Sequence, residues 1–161
     1  LVPAIQGIRA LGIDGVNVTI PYKVKVMECL DALSDEAVRI GAVNTIHNSS
    51  GRLIGYNTDY FGFGRMLGKH GILTQGKSAV VLGSGGAAKA VVAYLEDHGI
   101  TDIKIIARAP VEVATFDAKR YSILPYSEMT SLRQTHLLVN CTPVGMYPET
   151  AASPIEAKQL N

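Results

Sequence analysis

The chain has almost no charge imbalance, only two cysteines and no extended apolar segment, and each shortage closes off a class of function. Fifteen Lys and Arg against fourteen Asp and Glu leave a formal charge of +1 in 161 residues. With no basic run either, nothing would steer the chain toward nucleic acid or anionic lipid. Cys29 and Cys141 lie far apart with no paired spacing, which excludes a disulfide framework and a zinc site and fits a reducing cytosol. No apolar stretch approaches the ~20 residues of a membrane span, and the first residues lack the basic-then-apolar order of a secretion signal. A soluble, cytoplasmic, globular protein is expected. It shows no internal repeat and no low-complexity tract. The opening "LVPAIQGIRALGIDG" has neither Met nor a cap, and "SPIEAKQLN" stops inside a helical pattern, so a piece of a longer chain is expected.

Periodicity divides what is present into two halves. Ile5, Ile8 and Leu11 fall at helical spacing before Gly12, and a strand from Gly15 to Ile20 follows. Lys25 to Leu33 reads as a short helix, and "LSDEAVRIG" as another with Ser34 at its N-cap. Ala42 to Ile46 and Arg52 to Gly55 are predicted to form a hairpin around "NSSG". Asp59 to about Lys69 is predicted as a helix capped by Thr58 or Asp59. After "GILTQGK" the rhythm changes to apolar strand (Ser78–Leu82), helix (Ala87–His98) and apolar strand (Asp102–Ala107), a βαβ unit of a parallel sheet. Leu137–Asn140 is a further buried strand opening into "CTPVGMYPET". The fold class is therefore α/β, with a substrate domain at 1–75 and a Rossmann-like dinucleotide domain at 76–161.

"GSGGAAKA" follows the strand "SAVVL" directly, and Gly83, Gly85 and Ala88 fill the G-x-G-x-x-G/A pattern. The first glycine allows a tight turn, the second lets backbone approach a pyrophosphate, and the small third residue lets helix and strand pack closely. Amides at the helix start would then hold the anion. The next strand ends in Arg108 rather than an acid. A guanidinium there suits the 2′-phosphate of NADP, with a plain surface arginine as the alternative.

The first half supplies polar groups at strand ends: Asn17, Thr19 and Lys23 in "NVTIPYK", then Asn44, then Asn57 to Asp59 in "YNTD". A lysine paired with a carboxylate can shuttle the proton when an alcohol and a ketone interconvert. Pro21 cannot continue a hydrogen-bonded ladder, so the chain should leave the sheet there and project Lys23 from its edge. Tyr22 reads as packing. The four histidines have no paired spacing and read as surface or loop residues.

"NVTIPYK", "GAVNT" and "GYNTD", in this order ahead of "GSGGA" and with "VNCTPVGM" later, closely resemble the shikimate dehydrogenase family, including its quinate/shikimate branch. The resemblance implies reversible, NADP-dependent reduction of 3-dehydroshikimate to shikimate, with the active site in a cleft between two α/β domains. It implies that Lys23 is the acid/base and Asp59 its partner, and that Thr19, Asn44 and Asp59 bind ring hydroxyls while Asn17 shapes the pocket. Gly83, Ser84, Gly85, Gly86 and Ala87 would cradle the pyrophosphate, Arg108 would take the adenosine phosphate, and Thr142 belongs to the loop beside the nicotinamide. Met146 of that loop touches the nicotinamide or packs in the core, and Cys141 is a small filler. Asp35 aligns with an acidic position near the cofactor, or simply suits a helix N-terminus.

The departures are specific. A serine-containing segment that holds the substrate carboxylate in the family does not occur here, nor does a later glutamine-bearing helix. The family's Asn-Arg-Thr is replaced by Ala107, Arg108 and Ala109, followed by Pro110. A quinate dehydrogenase using NAD or both cofactors, and an inactive NADP-binding homologue, are the alternatives. A folate-type dehydrogenase is disfavoured by the Asn-Thr-Asp and Gly-Ala-Val-Asn-Thr motifs. The expected partners are the small-molecule substrate and NADP, without nucleic acid or membrane, in a monomer or homodimer.

Overall fold

The computed structural model describes residues 1–109, 116–117, 120–129 and 135–159. The chain packs as two compact units, Leu1–Gly71 and Ile72–Asn161.

In the first unit, helix α1 (Val2–Ala10) carries Pro3 in its first turn, where a missing N–H costs nothing, and buries Ile5 and Ile8. Its strands form one mixed sheet in the order β1 (Gly15–Asn17), β3 (Thr45–Ser49), β4 (Arg52–Tyr56), β2 (Ala32–Leu33). The hairpin β3–β4 turns through Ser50 and Gly51, both at positive φ, as a tight two-residue turn of right-handed twist demands. Ile5, Ile8, Val26, Ala37, Val43, Ile46 and Leu53 make the core. Each large aliphatic side chain among them contributes about 1.5–3 kcal/mol of burial.

Several predicted boundaries are corrected. The first strand ends at Asn17, four residues before Pro21: one more backbone bond, Val18 N–H to the Asn44 carbonyl at 2.7 Å, follows it, and the chain then turns with Tyr22 N–H on the Thr19 carbonyl. The helix predicted over Lys25–Leu33 is one 3₁₀ segment, Lys25–Cys29; Asp31 N–H then bonds Leu53 O, and Ala32–Leu33 joins the sheet as β2 beside β4. Sheet pairing overrides a two-residue helical signal. The first hairpin strand begins at Thr45 rather than Ala42, since Val43 N–H bonds the Lys23 carbonyl instead. Helix α2 (Asp35–Ile40) does take its cap from Ser34, whose hydroxyl accepts from Ala37 N–H, and closes on left-handed Gly41. Helix α3 (Asp59–Lys69) has Thr58 at its N-cap position, one of the two predicted, but the Thr58 side chain makes no capping bond; the Asn57 side chain accepts from Asp59 and Tyr60 N–H instead.

The second unit is a parallel sheet in the order β7 (Ser122–Pro125), β6 (Asp102–Ala107), β5 (Ser78–Leu82), β8 (Leu137–Asn140), with helix α4 (Gly86–Asp97) packed on β5. In chain order that is 3-2-1-4, the Rossmann arrangement, whose switch point lies between β5 and β8. Alternation puts Val80, Leu82, Ile106, Leu124 and Leu138 on one face with Tyr126, Met129 and Ile155. Strand β7 was not anticipated. Pro125 hides it, and is tolerated because β7 is an edge. The helical pattern at the end amounts to one 3₁₀ turn, Ala157–Gln159, with Leu160 and Asn161 outside the described residues. No helix among the described residues is long and apolar enough to cross a membrane.

Candidate active site

In the first unit the chain leaves β1, turns with Tyr22 N–H on the Thr19 carbonyl, and is tied back when Val43 N–H bonds Lys23 O at 2.7 Å. Val26, fully buried one helical turn on, anchors the segment. Lys23 is thereby held beside Asn44, whose own N–H bonds the Tyr56 carbonyl. Three strand ends therefore meet at this point.

Lys23 Nζ donates to Asp59 Oδ2 at 2.6 Å, with the lysine side chain 14% and the aspartate 34% exposed. The other carboxylate oxygen, Oδ1, accepts from Asn44 Nδ2 at 2.8 Å. Asn44 Nδ2 also donates to Thr58 Oγ1, while its Oδ1 accepts from Thr58 N–H and Thr45 Oγ1. Both amide protons of Asn44 are thus in use, and the residue is only 9% exposed. In this arrangement it orients Asp59 rather than offering a free donor. A charge-assisted bond this short, shielded on one side and braced on the other, fixes the direction of the ammonium. An ammonium has three donors, and Asp59 takes one.

Asn57, to which the sequence reading gave no role, is fully buried and bonds the Ala42 carbonyl at 2.9 Å while capping α3. Its signal was present, since an asparagine just before a helix is a capping residue. Thr19 and Asn17 are exposed, and Asp35 is exposed in the first turn of α2. Tyr22, read as packing, is 47% exposed.

In the second unit, Gly83 leaves β5 at φ +102°, and a Cβ there would stand 3.1 Å from the Cys141 carbonyl oxygen. Only glycine suits both demands. Gly85 differs: its φ is −83°, and an added Cβ would meet nothing within 4 Å. Neither strain nor packing requires glycine at 85. The bare position leaves the α4 N-terminus open, which is what close approach of a pyrophosphate needs, so the loop fits a dinucleotide. Ser84, Gly86 and Ala87 complete the loop and are half-buried.

Across the switch point, Asn140 shapes the facing loop. Its Oδ1 accepts from Thr142 N–H and Oγ1, and its Nδ2 donates to the Val144 carbonyl. Thr142 is half-buried; Met146, for which core packing was one reading, is 60% exposed, as that reading does not allow. Arg108 is exposed just beyond the end of β6, and Pro110 lies outside the described residues. In this same unit burial lowers the pKa of Lys89 on α4.

A mixed-sheet unit that presents a braced lysine–carboxylate pair, followed by a Rossmann-type unit with an open glycine loop, defines a two-unit α/β protein whose second unit fits a dinucleotide. Comparison with known proteins narrows this. The family model for the shikimate dehydrogenase substrate binding domain matches residues 1–46. The chain is 46% identical to the NADP(+) shikimate dehydrogenase of Clostridium beijerinckii, over 98% of this chain and 58% of that protein. Shikimate dehydrogenase 1 of Peptoclostridium difficile superposes with TM-score 0.89 at 43% identity, covering 96% of this chain and 56% of that one. The Thermus thermophilus shikimate 5-dehydrogenase, solved with NADP(H) and shikimate, gives 0.84 at 36% identity over 99% and 59%. The chain belongs to the shikimate dehydrogenase family, and spans 58% of the length of its Clostridium beijerinckii relative.

Proposed function

We propose that the protein is an NADP-dependent shikimate dehydrogenase interconverting 3-dehydroshikimate and shikimate. The observation that carries the reading is the Lys23–Asp59 pair braced by Asn44, in a chain whose curated relatives bear that name.

Reduction adds a hydride to the ring carbonyl carbon and a proton to its oxygen. Bound NADPH supplies the hydride. Lys23 does the rest of the chemistry at that oxygen: a free N–H of its ammonium points the carbonyl, and its proton passes to the oxygen as negative charge builds there. The amine left behind regains a proton from water, and in the reverse direction takes one from the alcohol. Because that charge is largest in the transition state, the pair lowers the barrier more than it tightens ground-state binding. Asp59 holds the ammonium in place and offers its carboxylate to a neighbouring ring hydroxyl, with Thr19 as a second contact. In the other unit the amides of Gly83 to Ala87 receive the pyrophosphate and Arg108 the adenosine 2′-phosphate, while Thr142 belongs to the loop beside the nicotinamide. Asp35 remains a candidate for the cofactor side. Cys29 and Cys141 form no disulfide, which supports a reducing, cytoplasmic setting, and the protein works as a monomer or homodimer.

The test is shikimate-dependent NADP+ reduction by the whole protein, with quinate assayed alongside. Wild type should turn over shikimate faster than quinate, and Lys23→Ala should lose about 10²–10⁴-fold in kcat. Equal rates in wild type and variant would remove Lys23 from the mechanism. NADP+ binding by wild type without turnover would make the protein an inactive homologue.

A further inference from the structure

The two alanines flanking Arg108 leave a phosphate-binding arginine with no hydrogen-bonding neighbour on its own strand. The adjacent strand supplies one. β6 and β7 run parallel with Ile106 opposite Leu124 and Ala107 opposite Pro125. The pairing ends there: Arg108 is the next residue after β6, and Tyr126, the next after β7, opens a 3₁₀ turn, Tyr126–Glu128. Ile106, Leu124 and Tyr126 all belong to one apolar cluster of this unit. The ring of Tyr126 is therefore seated on packed aliphatic side chains, and Tyr126 follows directly on Pro125 as Arg108 follows on Ala107, the last paired residues of the two strands.

Among the described residues neither the Arg108 guanidinium nor the Tyr126 hydroxyl has a hydrogen-bond partner. Burial raises the pKa of the phenol, and the charge of Arg108 is near enough to work against that rise. Tyr126 is thus a protonated donor beside an unengaged cation at the carboxyl ends of two adjacent strands. A phosphate monoester has three strong acceptor oxygens; a guanidinium fork satisfies two, and a hydroxyl one more. A ribose hydroxyl is neutral and would leave the cation unneutralised.

We propose that Tyr126 is a further specificity-determining residue for the phosphorylated cofactor, its hydroxyl donating to the adenosine 2′-phosphate that Arg108 grips. The inference rests on the reading of Arg108 given under the proposed function and adds a second donor from the neighbouring strand. The donor replaces, from across the sheet, what Ala107 and Ala109 lack.

The experiment titrates adenosine 2′,5′-bisphosphate and 5′-AMP into the whole protein by calorimetry, using wild type, Tyr126→Phe and Arg108→Ala. Phenylalanine keeps the ring on its apolar seat, so the thermal midpoint should not move. Tyr126→Phe should weaken the bisphosphate about tenfold, the loss expected of one hydrogen bond to a charged group, and leave 5′-AMP unchanged. The ratio of kcat/KM for NADP+ over NAD+ should fall by the same factor. If Arg108→Ala loses the bisphosphate while Tyr126→Phe binds it as wild type does, the role of Tyr126 is overturned and that of Arg108 stands. If Arg108→Ala also binds it normally, the phosphate does not sit at these strand ends and both assignments fall.

Discussion

Asn44 holds Asp59 by one carboxylate oxygen, at 2.8 Å, and leaves the other to Lys23. The proton-transfer pair is thus a triad in which a buried amide sets the direction of a carboxylate, and the carboxylate sets that of an ammonium. Removing the amide should act on the chemistry through Asp59. Asn44→Ala also strips partners from Thr58 N–H and Thr45 Oγ1. The expected outcome is a loss of about 1–3 kcal/mol in urea unfolding, with kcat down by roughly tenfold or more. Wild-type kcat in a destabilised Asn44→Ala protein would separate packing from orientation and disprove the link.

Asn57 is the hinge between that triad and the fold. It bonds the Ala42 carbonyl and caps α3, whose first residue is Asp59. Asn57→Ala should cost about 2 kcal/mol, combining a lost cap with an unsatisfied buried carbonyl. Hydrogen exchange at the Asp59 amide should accelerate in step with it. An unchanged midpoint in thermal unfolding would contradict the assignment.

Gly83→Ala tests the cofactor loop without touching the first unit. The substitution forces a Cβ into φ +102° and to 3.1 Å from the Cys141 carbonyl oxygen. A strain of about 1–3 kcal/mol is expected, together with weaker NADPH binding in a fluorescence titration. Gly85→Ala meets no protein atom within 4 Å. It should leave stability nearly unchanged and still weaken NADPH, because only an approaching ligand would feel the methyl group. NADPH binding unaffected by Gly85→Ala would refute the pyrophosphate cradle.

Acid should expose a different contact. Leu53 N–H donates to the Asp31 carboxylate, which Arg9 also engages, and these hold its carboxyl below the usual value of 3.8. The folded pKa is depressed, so this contribution to stability is fully present above the unfolded value. It is lost as pH falls through the lower, folded one. Asp31→Asn should therefore be less stable than wild type at neutral pH, and the gap should close on acidification below about pH 4. Urea midpoints across that range decide it, and a gap that widens with acid would reverse the sign.

Much of this could be read before any coordinates. The glycine loop lies between two continuous apolar strands, so strand, turn and helix were implied by local chemistry: Gly83 for the turn, Ala88 for close packing. The hairpin likewise announced itself in "NSSG". The failures come where a few residues are decided by distant partners. Lys25–Leu33 has helical spacing, yet Leu53 and Ile54 draw Asp31 and Ala32 into the sheet. Strand β7 is four residues ending in proline, a pattern that reads as a turn unless an edge is known to be waiting. Met146 was open between touching the nicotinamide and packing in the core, and only the fold put it outside the core.

Local chemistry along the chain determined which residues could do what: a glycine where backbone must be bare, a lysine after a proline, an arginine closing a strand. Tertiary structure decided which of them meet. Lys23, Asn44 and Asp59 converge because backbone bonds from Val18 to Asn44, Val43 to Lys23 and Asn44 to Tyr56 bring three strand ends together. Arg108 and Tyr126 leave neighbouring strand ends because β7 pairs with β6 in one register, Ala107 beside Pro125, rather than another. Side-chain identity is written residue by residue, whereas proximity depends on hydrogen-bond pairing between segments far apart in sequence, which no single segment encodes.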